Sequence, residues 1–159
     1  KNIVSGVAFQ KNESQLPLTN IEDKPGVAAK IFGPLASSGV NIDMIVQSNT
    51  ETGLTNITFS CPEDELDMAI KAISKAKENN VISYERLIET KNLAKVSIIG
   101  IGMKTHAGVA QKMFETLSQE NININVISTS EIKLSVLIDR KYLELAVRSL
   151  HDAFGLQNL

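Results

Sequence analysis

Residues 25–45 read PGVAAKIFGPLASSGVNIDMI, and residues 107–127 read AGVAQKMFETLSQENININVI. The two segments align without a gap at an offset of 82 residues. Nine of the 21 aligned positions are identical, among them Gly26/Gly108, Phe32/Phe114, Asn41/Asn123 and Ile42/Ile124. Self-similarity of this kind marks a duplicated structural unit. Within each copy the apolar residues recur at helical spacing. Ala28, Ile31, Phe32 and Leu35 share one face, as do Ala110, Met113, Phe114 and Leu117.

Outward from the repeat, strand-like runs precede each helix, LPLTNI at 16–21 and KVSIIGI at 95–101, and others follow it, NIDMIVQ at 41–47 and NINVIST at 123–129. Alternating apolar residues then predict a further strand in each copy, through Ile57, Phe59 and Cys61 and through Leu134, Val136 and Ile138. A second helix follows. In the first copy Pro62 suits its first position and Leu66, Ala69, Ile70 and Ile73 its buried face; in the second the face is Leu143, Ala146, Val147 and Leu150. The first copy closes with a strand over 81–89, VISYERLIE, whereas only GLQNL follows Phe154 in the second. An unpaired strand, IVSGVAFQ at 3–10, stands ahead of the first copy. The simplest reading lets it complete the second sheet. The fold class expected is then α+β: two ferredoxin-like βαββαβ modules, each a four-stranded antiparallel sheet with two helices on one face. Module one spans residues 15–91 and is inserted into module two, residues 1–14 plus 92–159. The alternative makes 3–10 an edge strand of the first copy or a disordered lead.

Composition narrows the function. The 159 residues are 43% hydrophobic and 21% charged, with a net charge of −2, so no basic patch invites nucleic acid or a membrane surface. No apolar run approaches the roughly 20 residues that span a bilayer. One cysteine, Cys61, fits a reducing cytoplasm, and one Cys with two His leaves little for a metal site. The chain opens KNIVSG with neither initiator Met nor signal peptide, which suits a fragment or a processed subunit. The segment 100–105, GIGMKT, lacks the glycine that a phosphate-binding loop needs before its lysine. No catalytic constellation is visible.

The turn ahead of the first helix is Glu22-Asp23-Lys24-Pro25-Gly26-Val27-Ala28. Pro25 suits the first helical turn, Gly26 admits close approach, and free amides of Gly26, Val27 and Ala28 would favour a carboxylate. Asp23 beside them could accept from an ammonium group, giving a clamp for a zwitterion. The plainer role is capping of its own helix by Asp23, which the residues alone favour. The matching turn, Gly102 to Val109, has no acid at the place of Asp23 and carries His106 instead, so the two turns are chemically unequal.

The runs EDKPGVAAKIFGPLASSGVNIDMIVQ (22–47), NITFSCP (56–62), KVSIIGIGMKTHAGVAQKMFETL (95–117) and NINVISTSEIKLSVLI (123–138) closely resemble the tandem ACT domains of aspartate kinases. The resemblance covers essentially the whole chain, as a C-terminal regulatory region or a separate regulatory (beta) subunit. It implies a first module inserted into the second. It implies lysine or threonine as allosteric effector, giving feedback inhibition of aspartate phosphorylation by ATP. It implies no catalytic residue, metal or cofactor in this chain, since ATP and Mg belong to the catalytic kinase domain or subunit, and no kinase activity from this chain alone. The implied effector site joins Asp23, Lys24, Pro25, Gly26, Val27, Ala28 and Gln47 to Asn123 and Ile124 of a partner chain. A second site would use Met103, His106, Gly108, Val109, Ser130 and Glu131 with Asn41 and Ile42 opposite; Ala107 and Ala110 depart there from residues often found in the family. A homodimer through the ACT modules follows from that arrangement, and exposed sheet edges favour it too. The competing readings are an ACT-type sensor controlling another enzyme, an RNA-binding βαββαβ protein, disfavoured by 4% aromatic residues, and a stand-alone enzyme.

Overall fold

The computed structural model describes residues 3–101 and 107–156. Its elements form a mixed α+β chain in the order β1 (Val4–Glu22), α1 (Val27–Ser37), β2 (Ile45–Asn49), β3 (Leu54–Pro62), α2 (Leu66–Glu78), β4 (Arg86–Leu87), β5 (Thr90–Gly100), α3 (Ala107–Gln119), β6 (Val126–Thr129), β7 (Lys133–Asp139) and α4 (Leu143–Ala153). One 3-10 turn leads into α2 (Glu63–Glu65) and another into α4 (Arg140–Tyr142). The chain divides into two compact units, one of residues 13–91 and one combining the residues up to Asn12 with those from Asn92 onward. Among the described residues no helix is long and apolar enough to cross a membrane.

In the 13–91 unit, β3 pairs antiparallel with β2 and with the second half of β1, and β4 pairs with the other edge of that half. The alternation through Ile57, Phe59 and Cys61 points inward with Leu16, Leu18 and Ile21, against Ile31 and Leu35 of α1 and Leu66, Ala69 and Ile73 of α2. Phe32 meets Phe59 edge-on at 5.8 Å. In the other unit, β7 pairs antiparallel with β5 and β6, and the first half of β1 lies beside β5. Ser5 Oγ donates to Ile99 O at 3.2 Å, while Asn12 and Asn92 both accept from Arg140, so these two strands run antiparallel. Val4 joins Val96, Ile98, Met113, Leu117, Val136 and Leu150 in the core.

The four helices among the described residues end in the same way. Gly39, Asn80, Asn121 and Gly155 follow them with positive φ. The next amide reaches back to the last turn: Val40 to Leu35, Val81 to Ala76, Ile122 to Leu117 and Leu156 to His151, at 2.9–3.0 Å. Glycine reaches this left-handed state without strain and asparagine tolerates it, which explains the two residue types found there.

Several local expectations are corrected. The separate strands over 3–10 and 16–21 are one strand, because the polar stretch between them contains no Gly or Pro to break it. The strand over 81–89 shrinks to Arg86–Leu87. Its partner stretch contains Pro17, which accepts from Ile88 but has no amide to return. Regular pairing in β2 starts only at Ile45, since Ser60 Oγ takes the Met44 amide at 2.9 Å in place of a ladder carbonyl. Pro62 lies ahead of the 3-10 turn with extended backbone (φ −56, ψ 140), outside the helix.

Cys61 is buried, with Ser14 Oγ donating to its carbonyl at 3.0 Å and lying 3.4 Å from Sγ. Burial pushes the Cys61 thiol pKa up; the Ser14 hydrogen bond opposes this, and the charges of Glu65, Glu13 and Asp64 add to it. Thiolate formation is therefore suppressed in the folded unit. Ellman's reagent is expected to label Cys61 only as fast as the unit opens, and immediate labelling in native buffer at pH 8 would contradict this burial.

Candidate functional site

The turn between β1 and α1 is built around Gly26, the residue that caps the helix with φ 93 and ψ −9. That left-handed geometry is open to glycine and strained for other residues. Helix α1 begins at Val27, so Pro25 sits ahead of the cap rather than in the first helical turn. The Val27 amide is not free as expected; it donates to Lys24 O at 3.2 Å and closes the turn. The first intrahelical bond runs from Lys30 to Gly26 at 3.1 Å. Among the described residues the amides of Ala28 and Ala29 are therefore left with no backbone partner, and no acidic side chain lies in the first turn of α1. The positive end of the helix dipole thus faces outward with two donors open.

Asp23 does not cap this helix: the cap residue is Gly26, with no side-chain cap bond. Asp23 is exposed, and its amide donates to Gly53 O in the β2–β3 turn at 3.2 Å. Its carboxylate makes no hydrogen bond or ion pair among the described residues. Lys24 pairs with Glu22 at 3.4 Å, an exposed contact of small energetic weight. The β2–β3 turn that meets Asp23 is held by its own side chains. Thr50 and Thr52 hydroxyls lie 3.0 Å apart, and Thr55 Oγ1 donates to Asn49 Oδ1 at 3.1 Å. Local sequence reading missed this partner turn, because its contact with Asp23 spans 30 residues.

Gln47 lies on edge strand β2, opposite Ile57, which in turn pairs with Leu18. It is thus level with Leu18, not Asp23, and two strand spacings, about 10 Å, to the side of β1. A cavity of about 220 Å³ opens beside the turn, lined by Ile21, Lys24, Pro25, Val27, Lys30 and the 80–83 loop, and Asp23, Gly26, Ala28 and Gln47 do not line it. A larger one of about 430 Å³ lies between the first half of β1 and α4, between Phe9, Leu143 and Val147, and takes in none of the expected site residues.

The remaining expected residues lie as follows. Asn123 is exposed and Ile124 half-buried in the connection from α3 to β6. Gly108 and Val109 open α3, while Met103 and His106 fall outside the described residues. The Ser130 amide donates to Lys133 O at 2.8 Å and its hydroxyl lies 3.4 Å from the Ile132 amide, so Ser130 serves its own hairpin; Glu131 beside it is exposed. Asn41 donates through its amide to Glu65 Oε1 at 2.7 Å, and half-buried Ile42 follows it. No group of three metal-ligating side chains is drawn together among the described residues.

Comparison with known proteins bears on this arrangement. A family model described as the ACT domain matches residues 19–76 and again 96–154. The aspartokinase of Pseudomonas aeruginosa is 48% identical over 154 residues, covering 97% of this chain and 37% of that protein. The chain thus spans little more than a third of that curated relative. Among solved structures, one of aspartokinase alpha and beta subunits superposes with a TM-score of 0.86 at 42% identity, covering 96% of this chain and 99% of that one. The ligand-free regulatory subunit of aspartate kinase from Thermus thermophilus gives 0.86 at 36% identity, covering 96% and 99%. A family match that falls once in each copy of the repeat, together with whole-length likeness to those subunits, places the chain in the ACT domain family, among the tandem-ACT chains of aspartate kinases.

Proposed function

We propose that this chain is the effector-binding regulatory part of an aspartate kinase, taking up lysine, threonine or both and thereby inhibiting phosphorylation of aspartate by ATP. The observation that carries this reading is the N-terminus of α1, open among the described residues, beside an Asp23 carboxylate with no partner among them, in a chain similar over its length to aspartate kinase regulatory subunits. An aspartokinase III of Escherichia coli, 23% identical, has been solved with lysine and aspartate in its T-state, which makes lysine a reasonable first ligand to test.

On this reading each unit is a complete βαββαβ ACT module, the 13–91 unit inserted into the other. The effector's carboxylate meets the Ala28 and Ala29 amides and its ammonium group meets Asp23. Asn123 and Ile124 of a second copy close the site, so the working form is a homodimer. The catalytic domain or subunit holds ATP and Mg. On this reading the protein works in the cytoplasm. Effector bound across the dimer favours the arrangement in which its site is complete, and inhibition follows by linkage. The shift is bounded by the difference in affinity between the two arrangements, about 1–3 kcal/mol per coupling.

Replacing Asp23 with Ala removes one charged hydrogen bond, about 1.5–3 kcal/mol, so effector affinity is expected to fall by roughly 10- to 100-fold. The melting temperature without ligand should stay put, because Asp23 is exposed and its carboxylate supports nothing in the fold. Isothermal titration with lysine and with threonine checks this. Unchanged affinity for both would remove Asp23 from the site.

A further inference from the structure

Asn41-Ile42 and Asn123-Ile124 are identical dipeptides at matching places in the two copies, yet their surroundings differ. The Asn41 amide donates to Glu65 Oε1 at 2.7 Å. Its side-chain nitrogen turns to the same carboxylate, 3.1 Å from Oε2 and 3.4 Å from Oε1. Glu65 is the last residue of the 3-10 turn that leads into α2, directly before Leu66. The residue in that place in the other unit is Tyr142, directly before Leu143, and it has no carboxylate. Neither the backbone nor the side-chain amide of Asn123 has a hydrogen-bond partner among the described residues, whereas the amides of Ile42 and Ile124 are alike in having none.

We propose that Glu65 is a positioning residue that makes these two segments chemically unequal toward the amino-acid ligand. This rests on the effector-binding reading above. A carboxylate has only acceptors, so it draws both nitrogen donors of Asn41 inward. The side-chain amide is thereby fixed with Oδ1 turned away from Glu65, and the Asn41 carbonyl is also left open. Asn41 consequently meets a ligand with its two acceptors and at most one remaining side-chain N–H, which favours an ammonium group. Asn123 keeps donors as well as acceptors and can also serve a carboxylate. The duplicated modules therefore offer two different walls to a zwitterion, although the residues forming the walls are the same.

The test uses the intact chain and the variants Glu65→Ala and Glu65→Gln. Lysine and threonine are titrated calorimetrically, and amide exchange is followed by nitrogen-15 NMR. Glu65→Ala is expected to weaken at least one of the two amino acids by about tenfold. Glu65→Gln, which keeps an acceptor oxygen for the Asn41 amide, is expected to recover most of that loss, a rescue that general loosening of the turn would not give. In the ligand-free wild type, the Asn41 amide should exchange slowly and the Asn123 amide fast. Unchanged affinity for both amino acids in Glu65→Ala, or equally fast exchange at Asn41 and Asn123, overturns the assignment. Failure of the wild type to bind either amino acid overturns the proposed function instead, and the exchange contrast still decides whether the Glu65 lock exists.

Discussion

Deleting residues 1–10 is expected to unfold the unit that begins again at Asn92 while the 13–91 unit stays folded. Val4 is 4% exposed in the core of the former, and Ile3 and Val7 pack against that core. Burying one such side chain fully contributes about 1.5–3 kcal/mol, so one complete and two partial burials come to roughly 3–6 kcal/mol. A small domain has only about 5–15 kcal/mol in total. The deletion also strips β5 of a neighbouring strand. The core of the 13–91 unit draws no residue from this segment, so its amides should keep their protection. Hydrogen exchange resolved by residue reads both effects. Full protection of β5 and β7 in the deleted chain would show that the N-terminal strand is dispensable to its sheet.

A single methyl group is expected to act at the same seam. A Cβ on Gly100 would overlap the carbonyl oxygen of Ile3, with the Ile3 carbonyl carbon at 2.9 Å and Val4 Cα at 3.1 Å. These are backbone atoms, so no rotamer change relieves the overlap. The Ile101 amide also donates to Ile3 O at 3.3 Å, and a shift of the strand would lose that bond. Gly100→Ala is expected to cost about 3 kcal/mol, the upper end of ordinary overpacking, and Gly100→Val more. The matching change at Gly33, where a Cβ meets nothing within 4 Å, serves as control and should not destabilise through crowding. Denaturant unfolding of both variants measures the difference; equal midpoints would mean that the strand yields without cost.

The duplication and the helix faces were legible because they rest on local periodicity. Ile31, Leu35, Met113 and Leu117, chosen from spacing, are all fully buried. What escaped depended on contacts distant in sequence or on backbone geometry. Lys11 to Gln15 lies outside both strands expected from the sequence, yet Glu13 and Ser14 are buried strand residues paired with Pro62 and Cys61. Pro17 truncates the pairing of β4 from the neighbouring strand, where no reading of 81–89 would find it. At the turn ahead of α1, the donors expected from the sequence are not the ones the structure leaves open. Val27 spends its amide on Lys24, and the open pair is Ala28 with Ala29. Asp23 was favoured as a cap, and a left-handed Gly26 displaced it. The hold of Glu65 on Asn41 spans 24 residues and has no local signature.

The unequal copies bear on regulation. A turn with a free carboxylate and open amides is suited to a zwitterion, and the walls offered by Asn41 and Asn123 differ in the donors they keep. On the proposed function, two sites built from one repeat distinguish two amino acids without any change in fold.

On the proposed function, this chain senses an amino acid. Isothermal titration of lysine and of threonine into the wild-type chain, with the other amino acids as controls, tests it most directly. Saturable binding of lysine, threonine or both, with a melting temperature that rises on adding the same ligand, is the predicted result. A folded chain that binds neither would contradict it.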